Sequence, residues 1–321
     1  MLEEVLWSLR SACPIAPRLS PYADPVQEWV LDRLARLGLP LDGATRRRLE
    51  RAGFARYAGR LYPDAGEPDL RTLATLFTWF FLVDDACDGP DRLAPEQIRA
   101  LRAGALTLLR EGPRWRHPGF GGPLRRLLVE AWREPRRRMP ARWRSRFADA
   151  VAHHLDGTWR EAVAKEAGRP PSVSEYVELR RATSAAYVSY PLVEFATGRT
   201  VPDAVYHHPL LRRIGELGND LLSWYNDLAS LDRDVATSGG HNLVLAVAAE
   251  RGVPQETAVG LVADRWRDAM ARFVVLRASV PSFGPTWDAA VTAHLDGVAN
   301  AVRGTVDWTL ESARYPVPDT P

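Results

Sequence analysis

Apolar residues recur three and four positions apart along most of the chain, which is the spacing of one face of an α-helix. The run over residues 70–81 shows this most clearly, because leucine and phenylalanine mark one face of the helix that it predicts. Similar runs cover 26–37, 98–109, 124–132, 147–163, 177–195, 210–228, 243–249, 258–276 and 287–310. No run shows the alternation of β-branched residues that strands require. The pattern predicts an all-α fold of about ten to twelve helices.

Short breaks rich in glycine and proline separate the predicted helices, for example at Gly112-Pro113. Such connections are typical of neighbouring helices in one bundle. No linker, repeat or shift in composition marks a boundary, so we expect one α-helical domain over residues 1–321, with a disordered tail over 316–321. A bundle of this size can enclose a central cavity, where helical proteins commonly bind ligands.

The composition excludes several classes of protein. Of the 321 residues, 46% are hydrophobic and 26% charged, and no uncharged apolar run is long enough to span a membrane. Lys165 is the only lysine, and the net charge of +2 lacks the excess typical of nucleic-acid binders, so we expect no nucleic-acid partner. The N-terminus has no apolar stretch of the secretory type, and the only cysteines, Cys13 and Cys87, form no disulfide framework. We predict a soluble, cytoplasmic protein.

An acidic motif follows an apolar helical run, where residues 80–88 read FFLVDDACD. Asp84 and Asp88 lie one helical turn apart on one face, with Asp85 beside them. The preceding turns continue that face with aromatic side chains: Phe77, Phe80 and Phe81. Buried carboxylates need a counter-charge, and Mg²⁺ typically takes one or two carboxylates together with substrate phosphates. The motif favours a metal site; the alternative is that the helix ends here and its acids are solvated.

A second polar motif occurs where residues 219–227 read NDLLSWYND. Asn219, Ser223 and Asp227 are spaced four and four, so one stripe of a helix carries an amide, a hydroxyl and a carboxylate. Three such oxygens suit a hard cation. The alternative is a stripe that faces solvent, but Leu217 and Leu221 leave no separate core face on this helix.

In this order and spacing, the two motifs resemble those of bacterial class I terpene cyclases, also called terpene synthases. That family carries a DDxxD motif at the end of an apolar, aromatic helix and, over a hundred residues later, an Asn-Asp-x-x-Ser-x-x-x-Glu motif. The resemblance implies a class I terpenoid synthase-like bundle with a central cavity, in which three Mg²⁺ ions bridge the motifs and the substrate diphosphate. Asp84 and Asp88 would bind two of the ions, and Asn219, Ser223 and Asp227 the third.

Two further segments resemble the family. Residues 176–184 are similar to its diphosphate-sensor segment, which makes Arg180 the expected sensor and Arg181 the alternative candidate. Near the C-terminus, Trp308 and the pair Arg314-Tyr315 resemble a tryptophan followed by a closing Arg-Tyr pair that would donate to the diphosphate.

The chain also departs from the family pattern. Asp227 stands where the family usually has Glu, and Asn226 where a lysine that contacts the diphosphate is common. Ser184 and Ala185 stand where a glycine usually follows the sensor and the helix often breaks. The gap between Asp227 and residues 241–242 is several residues longer than usual.

The resemblance implies an enzyme that ionises an isoprenyl diphosphate and cyclises its carbon chain. We favour farnesyl diphosphate, with geranylgeranyl diphosphate next, because Phe80 and Phe81 beside the acids suggest a pocket of moderate depth. Asp84, Asp85, Arg180, Arg314 and Tyr315 are the expected catalytic residues. Residues expected to contact the substrate are Phe77, Phe80, Phe81, Arg181 and Trp308. Ordinary core packing is the alternative for the four aromatic ones, and the histidines at 153, 154 and 241 are expected to pack or cap.

Two other functions stay open at this point. A chain-elongating isoprenyl diphosphate synthase is also all-α and Mg²⁺-dependent, but it normally carries two aspartate-rich motifs, where this chain has Asn219 and Ser223. A non-catalytic helical binding module would show no Mg²⁺-dependent diphosphate binding. A homodimer is likewise left open.

Overall fold

The computed structural model describes residues 1–39, 41–88, 92–168, 170–237 and 241–312, with all of their side chains except those of residues 88, 236 and 237. The predicted site residues Arg314 and Tyr315 and the predicted tail over 316–321 lie outside the described residues. The described residues form sixteen helices: α1 (Leu2–Ala12), α2 (Ala23–Arg36), α3 (Gly43–Ala52), α4 (Phe54–Leu61), α5 (Glu67–Asp88), α6 (Pro95–Glu111), α7 (Gly122–Arg138), α8 (Ala141–Ala167), α9 (Val173–Thr183), α10 (Ala186–Thr197), α11 (Asp203–Tyr206), α12 (Pro209–Ala229), α13 (Leu231–Thr237), α14 (Leu243–Arg251), α15 (Gln255–Ala278) and α16 (Asp288–Glu311). In this part of the chain, extended segments pair only in an isolated bridge between His117 and Phe120, so the predicted all-α fold is confirmed.

The segment 177–195, predicted as one helix, contains a break. Helix α9 ends at Thr183, and Ala185 takes a left-handed backbone with φ of 60° before α10 begins. An L-residue in this conformation cannot continue a right-handed helix. Apolar residues continue with helical spacing on both sides of the break, so the pattern alone did not reveal it. Helices α1, α3, α4, α11 and α13 lie outside the predicted runs, and α9 and α10 were predicted as one, which accounts for the larger number of described helices.

The helix that carries Arg180 starts at a capping box. The hydroxyl of Ser172 accepts from the backbone N–H of Glu175 at 3.3 Å, and the Glu175 carboxylate accepts from the Ser172 N–H at 2.9 Å. These contacts satisfy two backbone donors that a helix start would otherwise leave unpaired. The start of α9, and with it the register of Arg180, is therefore defined locally.

The central helices surround a cavity. Helix α4 packs against α5 and α16, α16 packs against α10 and α12, and α8 packs against α9. The cavity walls come mainly from these seven helices. None of the described helices combines the length and the apolar character that crossing a membrane requires.

A buried ion cluster ties the first and the last helices to this bundle. Asp307 on α16 is 1% exposed and accepts from Arg10 at 2.9 Å, Arg303 at 3.0 Å and Arg60 at 3.4 Å. Burial alone would raise the pKa of Asp307, but the arginines outweigh it and hold that pKa below its usual value. Because Trp308 is the next residue, the cluster also positions one wall of the cavity.

Candidate active site

The cavity has an aromatic part and a charged part. Its enclosed volume is about 140 Å³. Pockets for drug-sized ligands usually measure about 300–1,000 Å³, so a C15 chain requires wall side chains to move as it enters. The aromatic wall consists of five side chains: Tyr57, Phe77, Phe80, Phe81 and Trp308. All four aromatic residues predicted to contact the substrate therefore line the cavity.

The aromatic wall is held together by ring contacts. Tyr57 lies 4.6 Å from Trp308 and 5.4 Å from Phe77, centroid to centroid, and Phe81 lies 5.3 Å from Trp308. The indole N–H of Trp308 donates to the carbonyl of Ala52 at 2.8 Å, which fixes the plane of that ring. Tyr57, on the short helix α4, was not predicted because α4 carried no periodic signal.

Two acids of the first motif, Asp84 and Asp85, occupy different positions. Asp84 lines the cavity. Asp85 does not line it and instead lies 3.8 Å from a guanidinium nitrogen of Arg48. Helix α5 extends through Asp88, whose backbone continues the helix while its side chain lies outside the description. The helix therefore continues through the motif, whereas the alternative has it end there.

Asn219 and Ser223 meet directly on α12. Both are buried, and the Ser223 hydroxyl donates to Oδ1 of Asn219 at 2.9 Å. The hydroxyl of Ser184, at the break between α9 and α10, donates to the same Oδ1 at 2.7 Å. The Asn219 amide N–H donates to the backbone carbonyl of Arg181 at 2.8 Å, so its orientation is determined. Neither Asn219 nor Ser223 lines the cavity itself, whereas Ser184 does.

Asp227, the third residue of this stripe, is buried in the cavity wall and accepts two hydrogen bonds. The hydroxyl of Tyr176 donates to Oδ2 and Nε of Arg180 donates to Oδ1, both at 2.8 Å. Burial raises the pKa of Asp227, while Arg180 and Tyr176 favour the carboxylate. Burial also opposes the charge on Arg180, but Asp227 outweighs it and raises the pKa of that guanidinium. Arg180 therefore stays charged.

The structure separates the two candidate sensor arginines. Arg180 lines the cavity. Arg181 does not; its Nε and Nη2 donate to the two oxygens of Asp220 at 2.7 Å each, in a bidentate pair away from the cavity. The prediction that Arg181 contacts the substrate is therefore not supported by its position.

Several charged residues at the cavity were not predicted. Lys165, the only lysine, lines it with its ammonium 3.3 Å from Glu161. Arg233 and Asp234 of α13 line it as well, and Arg233 donates to Asp234 at 3.0 Å. These residues lie on elements with no recognisable motif. The uniqueness of Lys165 was the one signal in the sequence that could have singled it out.

The residues present fit a magnesium ion shared with a phosphate. Oδ1 of Asn219 and Oγ of Ser223 lie 2.9 Å apart. Neighbouring ligands of an octahedral Mg²⁺, each about 2.0–2.1 Å from the ion, are separated by about 2.9 Å as well. Among the described residues, no three His, Cys, Asp or Glu side chains form a group that could hold a metal alone. A cation here therefore needs the oxygens of the Asn219 amide, the Ser223 hydroxyl and a phosphate in addition to those of the carboxylates.

Known proteins resemble the chain over nearly all of its length. A sequence model of the family described as "Terpene synthase family 2, C-terminal metal binding" matches residues 75–272. The 10-epi-cubebol synthase of Sorangium cellulosum is 28% identical over 306 residues, which cover 94% of this chain and 95% of the relative. A (+)-T-muurolol synthase of Roseiflexus castenholzii, named as cyclizing (2E,6E)-farnesyl diphosphate, is 28% identical over 308 residues, which cover 95% of this chain and 93% of the relative.

A solved structure agrees with this relationship. The crystal structure of germacradien-4-ol synthase from Streptomyces citricolor superposes with a TM-score of 0.79 at 27% identity, covering 92% of this chain and 98% of that one. The family match spans more than half of the chain and includes Asp84, Arg180 and Asp227, so the predicted resemblance is confirmed. The chain belongs to terpene synthase family 2 and is a terpene synthase, a metal-binding lyase.

Proposed function

We propose that this terpene synthase ionises farnesyl diphosphate with the help of Mg²⁺ and cyclises the resulting cation. The observation that carries the proposal is the composition of the cavity, where Asp84, Asp227 and Arg180 line the same space as five aromatic side chains. The charged part of the cavity suits the leaving diphosphate, and the aromatic part suits the hydrocarbon cation. A chain-elongating synthase and an inert binding module are not favoured, because the relatives described above are named as a cubebol synthase and a muurolol synthase.

The charged part would take the diphosphate. Bound Mg²⁺ would supply electrostatic stabilisation of the leaving diphosphate. Asp84, with Asp88, would hold ions on the α5 side, and Asn219, Ser223 and Asp227 one ion on the α12 side. Arg180 would donate to the phosphate oxygens, where its fork of N–H groups matches their geometry. The family resemblance gives three ions, and Arg314 with Tyr315 as further donors.

Lys165 and Arg233 extend this charged part. Lys165 is 8% exposed at its side chain, so its ammonium lies in a partly dry environment where a phosphate is attracted more strongly than in water. Asn226 stands where the family often has lysine and carries no positive charge. Its side-chain oxygen accepts a hydrogen bond from Nη2 of Arg180 at 2.8 Å. We infer that Lys165 supplies the cation that position 226 lacks.

The aromatic part would protect the carbocation. Aromatic faces attract positive charge, and the tight ring contacts of Tyr57, Phe81 and Trp308 exclude water from that wall. The cavity volume of about 140 Å³ favours a C15 chain over the longer geranylgeranyl chain, because the wall side chains must move less to admit the shorter chain. The name of the muurolol synthase points to the same substrate. A single domain, a cytoplasmic location and a homodimer stay predictions.

The proposal is tested by incubating the full chain with C10, C15 and C20 isoprenyl diphosphates and analysing the volatile products by gas chromatography–mass spectrometry. We expect cyclic C15 hydrocarbons or alcohols, no products with chelator, and recovery with Mg²⁺. Asn219→Ala should lower turnover about a hundredfold, the scale of losing one electrostatic stabiliser. Asn300→Ala is the matched control, since Asn300 lies outside this cavity, and it should retain activity. Longer diphosphates formed from two substrates would instead show chain elongation.

A further inference from the structure

One buried histidine in the cavity wall has no place in the ionisation step. His154 on α8 is 5% exposed and lines the cavity. Its ring packs edge-to-face against Phe80, with 5.5 Å between centroids. Phe80 belongs to the aromatic wall, so the imidazole lies where the hydrocarbon part of the substrate is expected.

The hydrogen bond of His154 determines its tautomer. Nδ1 lies 3.2 Å from the backbone carbonyl oxygen of Ala182. A carbonyl oxygen only accepts, so Nδ1 carries the proton and Nε2 carries a lone pair. Within the described residues Nε2 has no hydrogen-bond partner. Nε2 is also not one of the polar side-chain atoms that are fully buried without a partner. Nε2 is therefore reachable from the cavity that the ring lines.

The ring is a neutral base under physiological conditions. Burial lowers the pKa of His154 to about 4, and the nearby Arg180 and His153 act in the same direction. Two of the carboxylates that line the cavity are engaged by donors, since Asp227 accepts from Arg180 and Tyr176, and Asp234 accepts from Arg233. Another histidine of the wall, His241, lies 3.9 Å from Glu161 in the charged part. His154 is thus a neutral base whose ring contacts the aromatic wall at Phe80.

We propose that Nε2 of His154 removes the proton that ends the cyclisation. This inference rests on the proposed function. The C–H bond next to the cationic carbon breaks, and its electron pair becomes the new C=C bond. The proton binds to the Nε2 lone pair, and the imidazolium then passes it to the released diphosphate as the products leave. A carbocation is acidic enough for a weakly basic imidazole to deprotonate it, and the weak basicity favours return of the proton.

Two substitutions separate a base from a packing residue. His154→Asn keeps an N–H near the position of Nδ1 for the carbonyl of Ala182 but removes Nε2. His154→Phe keeps an aromatic ring against Phe80 but removes both nitrogens. In both variants we expect the share of the main alkene to fall about tenfold, less than a general base typically contributes, because a carbocation is itself strongly acidic; other alkenes or alcohols should take its place. Diphosphate release should stay within about threefold of the unsubstituted enzyme, because ionisation does not use His154.

The control is His153→Asn, the same change at the neighbouring exposed histidine that contacts Tyr187. It should leave the product ratio unchanged. An unchanged ratio in His154→Asn, or a change only in His154→Phe, would overturn the proposal in favour of a packing role. If the unsubstituted enzyme converts no isoprenyl diphosphate, the proposed function itself fails.

A second measurement holds even if one variant folds poorly. His154→Ala leaves a space beside Phe80 that added imidazole can enter. Imidazole should restore the main alkene in this variant, and N-methylimidazole, which lacks the donor for the carbonyl of Ala182, should restore less. The absence of any rescue in a His154→Ala variant that still releases diphosphate would contradict the role of a base.

Discussion

Arg180 binds Asp227 directly, with its Nε donating to Oδ1 over 2.8 Å. The same guanidinium donates through Nη2 to Asn226, so the expected diphosphate sensor holds two neighbouring residues of the expected metal helix. Tyr176 donates to the other oxygen of Asp227, so a metal that binds this carboxylate would share it with two donors, one of them positively charged. The charge of Arg180 therefore opposes the binding of a cation at Asp227.

This repulsion gives the first prediction. Arg180→Gln should bind Mn²⁺ more tightly than the unsubstituted enzyme in the absence of substrate at pH 8, because the positive charge at Oδ1 of Asp227 is gone. Turnover should nevertheless fall about a hundredfold, since the phosphate loses a donor. Electron paramagnetic resonance of free Mn²⁺ measures the first effect and a steady-state assay the second.

The matched control is Arg181→Gln, one residue further along α9. It breaks the partly buried bidentate pair with Asp220 and should cost stability, but it should leave Mn²⁺ affinity unchanged. Equal Mn²⁺ affinity in the Arg180 variant and the unsubstituted enzyme would contradict the repulsion.

The second prediction concerns the shorter carboxylate at 227. The two hydrogen bonds of Asp227, at 2.8 Å each, show a backbone that is already fitted to aspartate. Asp227→Glu should push the carboxylate into Tyr176 or Arg180 and lower turnover about tenfold through weaker Mg²⁺ binding, because Mg²⁺ tolerates little distortion. The Mg²⁺ concentration that gives half-maximal rate should rise. An Asp227→Glu variant with a lower Mg²⁺ requirement would show that the longer side chain restores a missing reach.

The third prediction concerns the helix break. Ala185 holds φ at 60°, a conformation that costs an L-residue about 1–2 kcal/mol. Ala185→Gly should keep the stability within about 1 kcal/mol, since the relief of strain offsets the added freedom of the unfolded chain. Ala185→Val should be markedly less stable, because β-branched residues rarely adopt positive φ. Urea unfolding of both variants tests this, and equal stability of the two would argue against the left-handed conformation.

The fourth prediction separates a cavity tryptophan from a core tryptophan. Trp308→Phe and Trp266→Phe each remove an indole N–H, from the carbonyls of Ala52 and Leu221 respectively. Both variants should lose about 1–3 kcal/mol of stability. Only the Trp308 variant should change the ratio of products, because Trp266 does not line the cavity. Unchanged products in Trp308→Phe would place that residue in the core alone.

The fifth prediction is a loss of stability in acid. Burial lowers the pKa of both His154 and His294 from 6.5 to about 4. Below pH 6.5 the unfolded chain binds more protons at these sites than the folded chain. Each histidine should therefore contribute on the order of 3 kcal/mol that is fully present above pH 6.5 and is lost as the pH falls toward 4.

Urea unfolding of the metal-free chain at pH 5 and pH 7.5 measures this effect. His294→Phe keeps a ring beside Tyr206 and should reduce the difference between the two pH values. His207→Phe changes an exposed histidine of the same region and is the control. The buried site is not responsible if both variants show the same pH dependence.

Local spacing along the chain was enough to predict most of the longer helices and the two polar motifs. Residues four apart share a helix face whatever surrounds them, so Asn219 and Ser223 were paired correctly before their contact at 2.9 Å was seen. The same reasoning predicted the aromatic wall from Phe77 to Phe81. The break at Ala185 was not predicted as a left-handed residue, because alanine carries no local preference for that conformation.

The tertiary structure decided which of two adjacent arginines faces the cavity. It also decided which residues from distant helices line the cavity with that arginine. Adjacent helical residues point about 100° apart, so the choice between Arg180 and Arg181 depends on how α9 is rotated against α8 and α12. That rotation depends on the packing of whole helix faces, which no spacing within α9 encodes. Tyr57, His154 and Lys165 reach the cavity in the same way, because each comes from a helix whose position is set by contacts far away in the chain.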